Sequence, residues 1–181
     1  METTNENKRD TSTVISTREG CVFLVDDNFM YLNILEAALK KVLPNATVVC
    51  FKSGETAIQA LDQKPFLILL DYDLAGVNPN VMNGISVLKA IKKANSEIQV
   101  IMLSGVEDTK IITTSMKHGA FDYIIKGEKA IFDIRHRLTS ILRKMRLTDE
   151  KHDEKQVKWF LRWAAIIVVI SFLVGFLLHE I

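Results

Sequence analysis

The chain has 181 residues, enough for one domain plus an appendage, and 23 Lys and Arg against 22 Asp and Glu give it a formal net charge of +1. That balance points to no particular class of partner. Two cysteines, Cys21 and Cys50, have no second Cys or His at ligand spacing, which argues against a disulfide framework or a metal site and reads as two small buried hydrophobes.

In chain order, residues 1–18 are polar and carry no apolar core, so they form a flexible lead-in and no signal peptide. From Gly20 to about Met145 short apolar runs alternate with helical periodicity. The runs CVFLV (21–25), TVVCF (47–51), FLILL (66–70), QVIML (99–103) and DYIIK (122–126) are five strand candidates. Their nearly continuous apolar character suits a parallel sheet covered on both faces. Between them, Asn28–Val42 places Leu32, Leu35, Leu39 and Val42 on one face. Ser53–Asp62 opens on a Ser cap, and Asn83–Ala94 aligns Ile85, Leu88 and Ile91. Thr109–His118 and Glu128–Met145 complete the helices. Pro44 and Pro65 precede strands and Gly119 follows a helix, as breakers should. Five βα units of this length predict an α/β, doubly wound five-stranded parallel sheet, with right-handed crossovers and ligands at the carboxyl ends of the strands.

The C-terminal part changes character. Arg135–Arg146 holds five basic residues and no acid. Leu147–Lys158 is a charged linker or a helix extension, and Trp159–Leu178 runs for twenty positions with one charge, Arg162. Twenty helical residues span about 30 Å, the hydrocarbon thickness of a bilayer. The segment has no polar face, and Trp159 and Trp163 fall where indole rings favour the headgroups. The expectation is a single-pass transmembrane helix over 159–178. Nine Lys and Arg between Arg135 and Arg162 hold the preceding domain in the cytoplasm, and the basic stretch is either a solvated face or attracted to anionic lipid. Ser171 and Gly175, four apart, form a small-xxx-small pair through which two spanning helices pack, so a homodimer is a further expectation.

Chemistry concentrates where the strands end. The first stops at Asp26 and Asp27, the third at Asp71, the fourth at Ser104 and the fifth at Lys126. In a doubly wound sheet these ends open on one edge. Three carboxylates there repel one another unless a cation neutralises them, and Mg²⁺ suits oxygen-only ligands that must also meet a phosphate. His118, at a helix end, reads as a cap or surface residue. No His is placed as a catalytic base, and no Gly-rich phosphate loop exists.

Those residues resemble the receiver domain of two-component response regulators, CheY-like proteins of flavodoxin-like (βα)5 fold with strand order 2-1-3-4-5. The resemblance covers about Cys21–Met145, within a domain of residues 19–146. It implies that Asp26, Asp27 and the phosphoacceptor Asp71 hold Mg²⁺, with a backbone carbonyl from Asp73. It implies that Ser104 hydrogen-bonds the phosphoryl group, that Lys126 neutralises charge and that Tyr123 is the aromatic switch. A histidine kinase or phosphotransfer protein would be the donor, and an unknown output protein would read the fourth helix, fifth strand and fifth helix. Two departures stand out: Gly127 follows Lys126 where the family usually has Pro, and the loop after Asp71 (YDLAGVNPNVMNG) is longer than usual before Gly84.

Two other classes compete. One is a receiver-like binding module that is never phosphorylated. The other is a haloacid-dehalogenase-type phosphatase, since LLDYD, IMLS and a lysine superficially resemble that pattern, but there the nucleophile lies on the first strand. The basic stretch lacks interleaved aromatics and no DNA-binding domain follows, so no nucleic-acid partner is expected.

Overall fold

The computed structural model describes residues 19–74 and 81–179, and their side chains except at 148–156, 165 and 168–179. Five strands, β1 (Gly20–Val25), β2 (Ala46–Phe51), β3 (Pro65–Asp71), β4 (Gln99–Ser104) and β5 (Asp122–Ile125), form one sheet in the order β2-β1-β3-β4-β5. All four pairings are parallel, as the alternation of runs and periodic segments predicts. The helices are α1 (Phe29–Val42), α2 (Gly54–Gln59), α3 (Gly84–Ala94), α4 (Thr109–Lys117) and α5 (Ala130–His179), with a 3-10 turn at Leu61–Gln63.

Several helices begin one residue later than the sequence suggests, because a cap lies outside the helix it starts. Asn28, Ser53 and Asn83 have extended backbones, and their side chains accept from the N–H groups of Tyr31, Thr56 and Ser86. Asp108 does the same for α4, accepting from Lys110 at 2.7 Å. The second helix also ends early. It gives way after Gln59 to the 3-10 turn, which Lys64 closes in the left-handed region at φ 53°. Pro65 is the first residue of β3 rather than its forerunner, a position where a strand tolerates a missing N–H.

Both faces of the sheet are covered. Phe23, Val25, Ile68, Leu70, Val100 and Met102 share a core cluster with Ala57 of α2 and with Val87, Leu88 and Ile91 of α3. The alternate residues Val22, Leu24, Leu67, Leu69, Ile101 and Leu103 are equally buried, as are Leu32, Leu35 and Leu39 of α1. Burial on both faces explains why the central strands read as unbroken apolar runs. The edge strand β2 is only partly buried. Cys50 on it is exposed, contrary to its expected burial, while Cys21 on β1 is buried; both are free thiols.

The chain divides into two units, Met1–Ile141 and Leu142–Ile181. Residues 147–158 are helical, within α5. In the second unit Trp159, Phe160, Leu161, Trp163, Ile166 and Ile167 are exposed, and the two indole rings stand 6.0 Å apart. Among the described residues no helix is long and apolar enough to cross a membrane, so the anchor expected over Trp159–Leu178 is not found there. The side chains of Ser171 and Gly175, on which the homodimer expectation rests, lie outside the described residues.

Candidate functional site

Sheet register brings the strand ends level. Val25 pairs with Leu70, Asp71 with Leu103, and Ser104 with Ile125. The chain then continues the ladders by one residue at each end: Asp26 N–H donates to Phe51 O, Tyr72 N–H to Leu103 O, and Lys126 N–H to Ser104 O, at 3.0, 2.8 and 2.7 Å. Asp26, Asp71, Ser104 and Lys126 are therefore held by sheet hydrogen bonds on rigid backbone. The bond from Lys126 N–H to β4 also fixes that residue independently of Gly127.

Asp26 and Asp71 are buried and Asp27 is exposed, and one carboxylate oxygen from each lies within 4.8 Å of the others. Lys126 reaches into this cluster. Its ammonium lies 2.7 Å from Asp26 Oδ2 and 2.9 Å from Asp71 Oδ1. The contact to Asp71 is an ion pair, and among the described residues the buried Asp71 Oδ1 has no hydrogen-bond partner. Asp26 is better satisfied, because its Oδ1 accepts from Asn28 N–H at 2.9 Å.

The electrostatics follow from burial and this crowding. Burial pushes the Asp71 carboxyl above its ordinary value; Lys126 opposes the rise, Asp26 adds to it, and a hydrogen bond from the Asp73 backbone lowers it. For Lys126 burial alone depresses the ammonium, yet Asp26 and Asp71 together outweigh it and the group stays firmly charged, above the usual lysine value. Three carboxylates against one ammonium leave two uncompensated negative charges. Together with the under-satisfied Asp71 oxygen, an all-oxygen donor set of this charge fits a hard divalent cation such as Mg²⁺.

Ser104 and Tyr123 sit one step away. Ser104 is buried, and its Oγ accepts from Val106 N–H at 3.2 Å, which leaves its own proton to donate. The Tyr123 hydroxyl donates to Val106 O at 2.8 Å. Both residues thus hold the two sides of one peptide stretch after β4. Asp73 is exposed just beyond β3. The part of the long loop at 75–80 is outside the described residues. At the far end of that loop Met82 N–H donates to Glu55 Oε1 at 2.8 Å, and Gly84 N–H to Tyr72 O at 2.9 Å.

Some participants escape a strand-end reading. Tyr31, one turn into α1, places its ring 4.8 Å from the Lys126 ammonium. Glu55 ties α2 to the loop. The only hint of Tyr31 in the sequence is its spacing of four from Asp27, which keeps it near the helix end that faces the site.

Residues 22–145 match the response regulator receiver domain family. The chain is 28% identical over 142 residues to the DNA-binding transcriptional regulator NtrC of Escherichia coli (strain K12), a match covering 78% of this chain and 28% of the relative. It is 31% identical over 106 residues to the transcriptional regulatory protein ZraR of Escherichia coli O157:H7, covering 58% and 22%. Among solved structures, the response regulator domain of Thermotoga maritima CheB superposes with TM-score 0.56 at 29% identity, over 70% of this chain and 96% of that one. The signal receiver domain of a putative Luxo repressor protein from Vibrio parahaemolyticus does so with TM-score 0.63 at 23% identity, over 73% and 96%, a likeness of fold. The chain thus spans about 28% of NtrC and 22% of ZraR.

Proposed function

Because the chain belongs to the response regulator receiver domain family, we propose that it is a membrane-tethered phosphoacceptor whose Asp71 is phosphorylated by a histidine kinase or phosphorelay partner in a Mg²⁺-dependent reaction. The observation that carries this reading is the buried Asp71 carboxylate, set within 4.8 Å of Asp26 and Asp27 and 2.9 Å from the Lys126 ammonium. A carboxylate oxygen of Asp71 attacks phosphorus, the bond from phosphorus to the donor breaks, and the donor leaves with the electron pair. Lys126 neutralises charge on the transferred group, and its contact with Asp26 keeps it aimed. Asp26, Asp27, Asp71 and the Asp73 carbonyl would hold Mg²⁺, which when bound supplies further positive charge to the phosphoryl oxygens.

The new dianion then draws the Ser104 proton toward it. Ser104 Oγ and the Tyr123 hydroxyl hold the same stretch at Val106, so pulling one strains the hold of the other. That links the charge on Asp71 to the surface of α4, β5 and the start of α5, where an output protein would read it.

The tether is the apolar run Trp159–Leu178, with the receiver part on the cytoplasmic side by its flanking Lys and Arg. Exposed Trp159, Phe160, Leu161 and Trp163 support it, since such a stripe is costly in water. Full-length chain co-floating with neutral vesicles and resisting alkaline extraction supports the tether; release by alkali refutes it.

Full-length protein in detergent, given an acyl phosphate and Mg²⁺, should gain one phosphoryl group, and Asp71→Asn should gain none. Absence of any gain favours a binding module that is never phosphorylated. Sustained turnover of phosphate esters favours a hydrolase.

A further inference from the structure

The Tyr31 hydroxyl is buried and has no hydrogen-bond partner among the described residues, although its ring lies 4.8 Å from the Lys126 ammonium. Packing alone does not account for a tyrosine here. A buried O–H without an acceptor is destabilising, and phenylalanine would fill the same space and present the same ring face. The placement of the ring is specific. A cation within about 6 Å of an aromatic face is attracted to it, and this cation is the one that bridges Asp26 and Asp71. Lys126 reaches the site on a long stem from the end of β5, and the ring lines the side of an ammonium already held by Asp26 and Asp71.

The hydroxyl lies in the field of the site. Burial raises the Tyr31 phenol above its ordinary value; Lys126 opposes this, and Asp26 and Asp71 add to it. The hydroxyl is a donor without an acceptor among the described residues, in the field of Asp26 and Asp71, and phosphorylation adds three strong acceptor oxygens to that field.

We propose that Tyr31 is a positioning residue for phosphoryl transfer, its ring steadying the Lys126 ammonium and its hydroxyl donating to the phosphoryl group once Asp71 carries it. The inference rests on Asp71 being the phosphoacceptor. Two substitutions separate the two parts. Tyr31→Leu removes ring and hydroxyl together, while Tyr31→Phe keeps the ring.

The experiment follows the full-length protein in detergent with an acyl phosphate and Mg²⁺, reading the rate of phosphorylation of Asp71 and the later rate of hydrolysis. Thermal unfolding is measured on each variant in parallel. Tyr31→Leu is expected to slow phosphorylation about fivefold or more and Tyr31→Phe to restore the wild-type rate. Tyr31→Phe is expected to hydrolyse about threefold faster than wild type. A merely structural role predicts no such split between the two variants. Wild-type phosphorylation in a folded Tyr31→Leu, or failure of Tyr31→Phe to restore it, overturns the role of the ring. An unchanged hydrolysis rate in Tyr31→Phe overturns the role of the hydroxyl. If the wild-type protein itself takes no phosphoryl group, it is the phosphoacceptor reading that fails.

Discussion

Lys126 Nζ and Asp26 Oδ2 lie 2.7 Å apart although 100 residues separate them in the chain. Asp26 is almost completely buried and Lys126 is 21% exposed, so the pair is largely shielded from solvent. The same ammonium contacts Asp71, which makes Lys126 the shared counter-charge of two acids on neighbouring strands.

Lys126→Met removes that charge and leaves two carboxylates buried against each other. Breaking a buried pair from one side costs about 3 kcal/mol, so the unfolding midpoint in denaturant should fall by that equivalent without divalent cation. Phosphorylation of Asp71 by an acyl phosphate should fall by about 100-fold, because the lost charge acts where the transition state is most negative.

Divalent cation should stabilise the fold. If the acid cluster binds Mg²⁺ only when assembled, raising the ion to 100 times its dissociation constant adds about 2.7 kcal/mol. Thermal unfolding with and without Mg²⁺ checks this. Asp27→Ala, which removes an exposed donor and no buried contact, should abolish most of the added stability while leaving the metal-free midpoint nearly unchanged.

Gly84→Ala should damage fold and site together. A Cβ at this position would stand 2.4 Å from Asp71 O and 2.7 Å from Tyr72 Cα. Both are backbone atoms and neither can turn aside, so β3 or the start of α3 must move. The expected loss is about 2 kcal/mol or more, with slower phosphorylation of the displaced Asp71. Denaturant unfolding and the phosphorylation rate measure the two effects.

Tyr123→Phe removes the hydrogen bond to Val106 O. Since that bond is exposed, the stability change should be small, about 0.5 kcal/mol. The sharper readout is hydrogen exchange. The amide of Val106, which donates to Ser104 Oγ, should exchange faster in the variant, and an unchanged rate means Tyr123 does not hold this stretch.

The strands and the polar residues that end them were legible from the chain because both signals are local. A strand buried on two faces is an unbroken apolar run, and FLILL followed by Asp71 or QVIML followed by Ser104 shows its end by a change of residue type. Helix starts were legible to within one or two residues, the one-residue offset at Asn28, Ser53 and Asn83 arising because a cap shares the polar signature of a start but has an extended backbone, and the last helix starting at Ala130 rather than Glu128. The exposure of Cys50 was misread: TVVCF alone looks like a core strand, although the strand order 2-1-3-4-5 implied by the resemblance, and found in the sheet, places β2 at an edge.

The sequence by itself determined the βα alternation, the parallel sheet it requires and the acids, serine and lysine placed at its strand ends. Only the tertiary structure decided that Lys126 bridges Asp26 and Asp71, that the Tyr31 ring lies beside that ammonium with its hydroxyl unpaired among the described residues, and that Tyr123 and Ser104 grip the same peptide stretch. It also decided that residues 147–158 are helical, which their mixed charges left open. The physical reason is one of range. Periodicity and capping act over a few residues and are written in the chain, whereas the direction of a side chain beyond its strand end depends on register with segments up to 100 residues away.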